Sequence, residues 1–386
     1  MEDFLDFINE THTASLIYKE NIDEKINICL GNVSCDMDST IGPFILAYYL
    51  THQNKYFDDQ GNYDNLFLPV VNCPRGELQA RLDIAHHFQN FSIDMDKLIY
   101  INDLNIDFYS QKNLLNLSII DHNKLDKGQA KWDKDVITII DHHVDTKAYD
   151  DTKQLTHKVV EFCGSACSMA VNMFFEQNLD SLLDKTISEF FSPAILLDTE
   201  NLKPSLKGNK WGEIDELACL RLFRKQNNLM FDNLINKKTD RQLNLNLGIE
   251  LILKKDYKNY VWKDIVAGIS VCFNSFHEII NSFTLDSLKH SMNSRIEENH
   301  LHLYMIITQT YFNGKAQREF MVYDQNNERF LKLKELFEKH CPFKLKQKKF
   351  TGLTHNFAFY IIQDDSVSRK KIEPVFKKIF EEGLLN

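Results

Sequence analysis

Asp141-His142-His143 stands at the end of the apolar run Val136-Ile137-Thr138-Ile139-Ile140. An acid and two imidazoles at the carboxyl end of a buried strand are poorly placed for packing and well placed for metal chemistry. Twenty residues earlier, Ile119-Ile120 runs into Asp121-His122-Asn123 in the same way. The apolar run that starts at Ile26 ends in Gly31-Asn32-Val33-Ser34-Cys35-Asp36-Met37-Asp38-Ser39, where two carboxylates two residues apart can face one point. Such a pair repels unless a cation or proton intervenes, although Asp38 or Ser39 alone also fits a helix N-cap. A fourth apolar run, Ala194-Ile195-Leu196-Leu197, ends in Asp198. Four coincidences of this kind point to a divalent-cation site. Its oxygen-rich donors suit Mg²⁺ or Mn²⁺ better than zinc or copper.

These residues need a scaffold, and the first half of the chain reads as one. Strands are expected over 26–30, 66–71, 98–101, 117–120 and 136–140. Helices are expected over 39–50 and 77–88, with another starting near Gly164-Ser165. This alternation implies an α/β fold with a mainly parallel sheet flanked by helices, in which ligands bind beyond the carboxyl ends of the strands. Residues 206–242 read as a connector between a domain over 1–205 and a second over 243–386. The second, smaller α/β domain has expected strands over 265–273, 301–308, 319–323 and 356–362. Its helices are expected over 276–296 and 331–339, with a last one from Ser368.

Composition narrows the class. The chain has 386 residues, 43% of them hydrophobic, and a formal charge of −10, which argues against a general nucleic-acid binder. The acidic start Met1-Glu2-Asp3 lacks the basic and apolar regions of a secretory signal, and no apolar stretch approaches membrane-spanning length. Cysteines 29, 35, 73, 163, 167, 219, 272 and 341 form no C-x-x-C pair and read as free thiols. A cytoplasmic location with no membrane association is the expectation. His86-His87 lies within one expected helix, where neighbours do not share a face, and reads as solvated or half-buried.

In order and spacing, the four acidic motifs resemble the DHH phosphoesterase superfamily, most closely the branch of the yeast-type exopolyphosphatases, the prune proteins and the family II inorganic pyrophosphatases. Three further segments agree: Val70-Val71-Asn72-Cys73-Pro74-Arg75, the Gly164-Ser165-Ala166 turn, and Ser368-Arg369-Lys370-Lys371 with Pro374, which resembles the signature of the branch's C-terminal domain. The resemblance covers nearly the whole chain. It implies two divalent cations, Mg²⁺ or Mn²⁺, held by Asn32, Asp36, Asp38, Asp121, His142 and Asp198, with Asp121 bridging. It implies that His143, Arg369 and Lys370 act on the phosphate, with Arg75 and Lys207 (or Lys203) adding positive charge and Asp141 supporting its neighbouring imidazole. The active site is expected in a cleft between the domains.

Family II pyrophosphatases carry a histidine where this chain has Asn32. The exopolyphosphatase and prune branch has asparagine there, and the harder amide ligand favours Mg²⁺. The Gly-rich signature of the DHH exonucleases is absent. The expected function is hydrolysis of terminal phosphate from linear inorganic polyphosphate. The enzymatic alternatives are an inorganic pyrophosphatase and a short-chain or nucleoside polyphosphate hydrolase. An alternative of another class is a prune-like binding or signalling protein with weak catalysis, against which stands the short run of chain after the Ser368 helix.

Overall fold

The computed structural model describes residues 2–55, 65–223, 227–312, 315–348, 350, 356–364 and 367–382. The chain divides into two compact units, Met1–Lys238 and Thr239–Asn386.

The first unit is built on six parallel strands: β1 (Ile26–Leu30), β2 (Phe67–Val71), β3 (Ile99–Tyr100), β4 (Leu115–Ile120), β5 (Val136–Asp141) and β6 (His157–Val160). Their order is β3-β2-β1-β4-β5-β6. β1 and β2 are buried at every position, as continuous apolar runs covered on both faces must be. The helices are α1 (Glu2–Tyr18), α2 (Met37–Lys55), α3 (Leu82–Asn90), α4 (Ile106–Gln111), α5 (Ala166–Glu176), α6 (Lys185–Asp198), α7 (Glu213–Phe223) and α8 (Asn228–Thr239). Strand order reverses direction at the β1–β4 pair, which opens a crevice at the carboxyl ends of these two strands. The Asp36/Asp38 loop and Asp121 emerge there.

α2 is apolar on nearly all sides, from Ile41 to Tyr49, as a helix enclosed by sheet and other helices must be. Pro43 lies inside it and cannot donate to the carbonyl four residues back, that of Ser39. A Cβ placed on Gly31 would stand 1.9 Å from that carbonyl oxygen. Only glycine lets the end of β1 approach α2 so closely.

One first-half expectation needs adjustment, and two segments carry no element assigned from the sequence. The helix over 77–88 is divided: a 3-10 turn covers Leu78–Ala80, Arg81 is non-helical, and α3 follows. Arg81 gives Nε and Nη2 to the Ser34 carbonyl at 3.1 and 2.6 Å, a tertiary bond that overrides local propensity. β6 is only four residues long, exposed or half-buried throughout, and lacks an apolar pattern. The apolar run 194–197, whose element the sequence did not assign, is the end of α6, an ambiguity that short apolar runs carry. Within the stretch read as a connector, α7 packs on α5 and α6.

The second unit contains α9 (Arg241–Asn246), α10 (Ile249–Lys254), β7 (Tyr257–Trp262), β8 (Ile265–Cys272), α11 (Phe276–Glu298), β9 (Leu303–Phe312), β10 (Lys315–Asp324), α12 (Asn327–His340), β11 (Leu345–Lys348), β12 (Phe357–Ile362) and α13 (Arg369–Glu381). Its mixed sheet runs β11-β12-β10-β9-β8-β7, with only β8 and β9 parallel. The sheet separates two cores. Trp262, Phe320, Phe337, Tyr360 and Phe376 fill one, and Phe276, Leu288, Met292, Tyr304 and Phe359 the other. β7 and β11 were not expected: they are lysine-bearing edge strands, where apolar alternation is weak. Among the described residues no helix is long and apolar enough to cross a membrane. All eight cysteines are free, seven of them buried.

His87 is fully buried rather than half-buried. Its ring stacks on Phe190 at 5.0 Å and its Nε2 donates to the Phe190 carbonyl at 2.8 Å, while His86 faces the side chains of Asn90 and Asn233. Burial holds His87 down at about 4, below the ordinary ~6.5 it has when unfolded. The unfolded chain therefore binds the extra proton between these values, and stability must fall as pH drops through that window. The contribution approaches roughly 3 kcal/mol at the acid end. Urea unfolding from pH 7 to 4 is expected to show a shallower pH dependence in His87→Gln than in the parent; identical slopes would refute the assignment.

Candidate metal centre

The loop after β1 is set by its own polar side chains. Asn32 Oδ1 accepts from the Ser34 amide at 2.8 Å, while Asn32 Nδ2 donates to Asp121 Oδ2 at 2.7 Å and to the Asp121 carbonyl at 3.0 Å. Asp36 Oδ1 accepts from the Ser39 amide at 3.1 Å, so Asp36 caps the start of α2 and keeps its other oxygen toward Ser34 Oγ at 3.0 Å. Asp38, one residue into α2, is buried. Its carboxylate accepts from Ser165 Oγ at 2.5 Å and from the Ala166 and Cys167 amides at 2.8 and 3.1 Å. These donors form the N-terminus of α5, where the helix dipole favours an anion.

Asp121 ends β4 with a left-handed backbone, φ 64°, a conformation aspartate tolerates better than most side chains. Its amide donates to the Ile140 carbonyl at 2.9 Å. The turn leaves Asp121 Oδ1 at 3.1 Å from His142 Nε2 and Asp121 Oδ2 in hydrogen bonds from Asn32 and Ser39 Oγ. Nδ1 of His142 lies 3.0 Å from the Cys163 carbonyl. A carbonyl only accepts, so Nδ1 carries a hydrogen, and the other ring nitrogen, Nε2, is the one that faces Asp121. Asp38 Oδ2 stands 3.9 Å from the same nitrogen.

Asp141 is fully buried and serves the imidazole beyond it. Asp141 Oδ1 accepts from the His142 amide and from His143 Nδ1, both at 2.8 Å. Asn123 Nδ2 donates to Asp141 Oδ2 at 2.5 Å. The His143 ring is thereby fixed with Nε2 directed away from its carboxylate, and its side chain is 57% exposed.

The electrostatics have two origins, burial and an excess of negative charge. Burial, then the neighbouring Asp38 carboxylate, pushes the Asp121 carboxyl up to about 7. Desolvation, then Asp38, Asp36 and Asp121, raises Asp198 well above the carboxylate range. Desolvation opposes a charge on His142, but its bond to Asp121 and the nearby Asp38 outweigh it and raise the imidazole to about 10. His143 is raised chiefly by its bond to Asp141. Burial alone would raise Asp141; its hydrogen bonds with His143 and Asn123 prevail and hold it below the usual value.

Asp121, Asp141, His142 and His143 each offer a donor atom within 4.8 Å of the others. Asp36, Asp38 and Asp198 lie close enough to raise the charge cost of their neighbours. At 3.1 Å a carboxylate oxygen and an imidazole lone pair repel unless a proton or cation sits between them, so this donor set fits a hard divalent ion.

The basic residues are placed differently. Arg75 is used within the first unit: it pairs with Asp103 at 2.6 Å, donates to the Asp96 and Leu98 carbonyls, and covers the Tyr100 ring. Lys207 pairs with Glu216 at 2.6 Å, and Lys203 lies 3.6 Å from Glu200. In the second unit Arg369 opens α13, pairing with Asp256 at 2.8 Å, and Lys370 is exposed. Sequence reasoning passed over Ser39, Asn123, Ser165 and Asp215. The first three lie within or beside the quoted motifs, so their positions were available; Asp215 had no such signal.

A parallel sheet with its acids at the switch point, followed in the chain by a mixed-sheet unit, is the architecture of the phosphoesterase family that both units match. Residues 25–195 match the DHH family, N-terminal domain, and residues 232–379 match the DHHA2 domain; the chain belongs to the DHH family and carries a DHHA2 domain. It is 25% identical over 360 residues to a rat protein named exopolyphosphatase PRUNE1, covering 92% of this chain and 75% of that one. The human protein of the same name is 25% identical over 362 residues, with the same shares covered. A solved structure from Methanococcus jannaschii, described as a "putative family II inorganic pyrophosphatase", aligns over 92% of this chain and 99% of its own at 16% identity and TM-score 0.54, a likeness of fold.

Gly31→Ala is expected to force β1 and α2 apart. A loss of about 1–3 kcal/mol in urea unfolding is expected, the usual cost of overpacking. An unchanged midpoint would show that the contact with Ser39 relaxes freely.

Proposed function

We propose that this protein is a divalent-metal-dependent exopolyphosphatase that removes terminal phosphate from linear inorganic polyphosphate. The observation that carries the reading is the approach of Asp121 Oδ1 to His142 Nε2 at 3.1 Å beside the Asp141–His143 pair. Asp36, Asp38, Asp121, His142 and Asp198 would hold two cations, Mg²⁺ or Mn²⁺. Asn32 enters chiefly through Asp121, since its amide nitrogen already holds that carboxylate. When bound, the cations supply the charge that makes water nucleophilic at neutral pH and offsets the phosphoryl oxygens.

The chain's own groups account for the rest. Asp141 keeps the hydrogen on Nδ1 of His143 and favours the charged ring, so Nε2–H can donate to a phosphoryl oxygen or to the departing phosphate. Arg369, Lys370 and Lys371 crowd the first turn of α13, which has no acidic residue and no side-chain cap. Three cations at a helix N-terminus oppose its dipole, an arrangement that an anion relieves. Arg369, whose planar fork suits phosphate, and Lys370 are the proposed partners of the phosphate chain. Arg75 and Lys207 are left with their acidic partners in the first unit; Arg369 would exchange its own pair with Asp256 for phosphate.

The test is a length series in Mg²⁺: pyrophosphate, tripolyphosphate and long polyphosphate, followed by orthophosphate release. The expected order of kcat/KM favours chains longer than pyrophosphate; a preference for pyrophosphate would sink the reading, and no turnover on any of them would favour a binding protein. Asp121→Asn is expected to lower kcat by more than the ~10–100-fold seen when outer supports of a metal site are lost, with a cooperative thermal transition retained. Near-normal turnover would refute the role given to Asp121. Arg369→Ala should raise KM about 10–100-fold, the worth of a hydrogen bond to a charged group, and unchanged constants would remove it from the site.

A further inference from the structure

Asp215 is fully buried in the first turn of α7, and no cation pairs with it among the described residues. Its carboxylate accepts four hydrogen bonds. One comes from the Gly212 amide at 2.8 Å, the reach-back of an acidic residue to the residue that caps its own helix. The other three come from the start of α5: the Gly164 amide at 2.8 Å, the Ser165 amide at 3.2 Å and Ser168 Oγ at 2.6 Å. The next two amides in sequence, Ala166 and Cys167, with Ser165 Oγ, belong to Asp38.

The free amides of one helix N-terminus are thus divided between two carboxylates. An unsatisfied N-terminus can turn toward either anion, so the division needs a fixed turn. The turn is also tightly enclosed: a Cβ on Gly164 would lie 2.7 Å from Thr199 Cγ2 and 3.1 Å from the Lys210 carbonyl.

We propose that Asp215 is a positioning residue of the metal centre, holding the Gly164-Ser165 turn so that α5 clamps Asp38 with its Oδ2 toward His142. The proposal rests on the metal-centre reading above. Asp215 touches neither cation nor substrate; it acts through the turn. Asp215→Asn replaces one acceptor with a donor that faces amide hydrogens, so the turn and Asp38 should rotate and metal affinity should fall with them.

Calorimetric titration of the metal-stripped full chain with Mn²⁺ reads this directly, beside thermal melts of each protein. Asp215→Asn is expected to weaken Mn²⁺ binding about 10–100-fold in protein that still melts cooperatively. Combined with Ser165→Ala it should fall short of the sum of the two single effects, as coupled neighbours do. A purely structural role would lower the melting temperature and leave the affinity of the folded protein unchanged; that result overturns the proposal. If Asp215→Asn does not fold, Ser168→Ala removes one donor of four and should weaken Mn²⁺ about threefold to tenfold, and unaltered affinity there overturns it equally. Absence of Mn²⁺ binding to the parent protein would refute the metal centre itself, an outcome distinct from parent-like binding in the variants.

Discussion

Everything at the sheet edge answers one constraint: Asp36, Asp38, Asp121 and Asp198 are brought together although their charges repel. Part of the repulsion is met by neutral donors. Asp38 lies in the amides of α5, Asp36 in the Ser39 amide, and Asp121 between Asn32 and Ser39. The remainder appears as raised proton affinity at Asp121, Asp198 and His142. A group of acids that binds protons this readily will also exchange them for cations.

The same constraint explains the framework. Asp38 is fixed by α5, α5 by Asp215 and Asp215 by the start of α7. Separately, α2 is drawn against β1 by Gly31 and presents the Ser39 hydroxyl to Asp121. The acidic cluster is therefore held from within the first unit, by backbone amides at Asp36 and Asp38 and by side-chain donors at Asp121.

Legibility in the sequence followed chemistry more closely than geometry. β1, β2, β4 and β5 were readable because buried parallel strands are continuous apolar runs, and three of them end in the acids that mark the site. β6, β7 and β11 were not, because edge strands carry lysine and half-exposed positions. The break at Arg81 depended on a carbonyl 47 residues away, which no local pattern encodes. Asp215 was hidden for a related reason: its four donors come from two separate turns, and a single acid in a polar stretch has no signature. Arg75 shows the converse, a residue whose place in a motif is plain while its guanidinium is engaged by Asp103, Asp96 and Leu98.

The first turn of α13 has a thermodynamic corollary. Arg369, Lys370 and Lys371 are consecutive in either state, but only the folded second unit sets them at a helix N-terminus that has no side-chain cap, an arrangement that favours an anion. Any anion that occupies this turn shifts the folding equilibrium by mass action. The unit's melting temperature should then depend on buffer identity, rising in phosphate or sulfate relative to an amine buffer of the same ionic strength. Conformational stability and ligand concentration are linked variables for this domain.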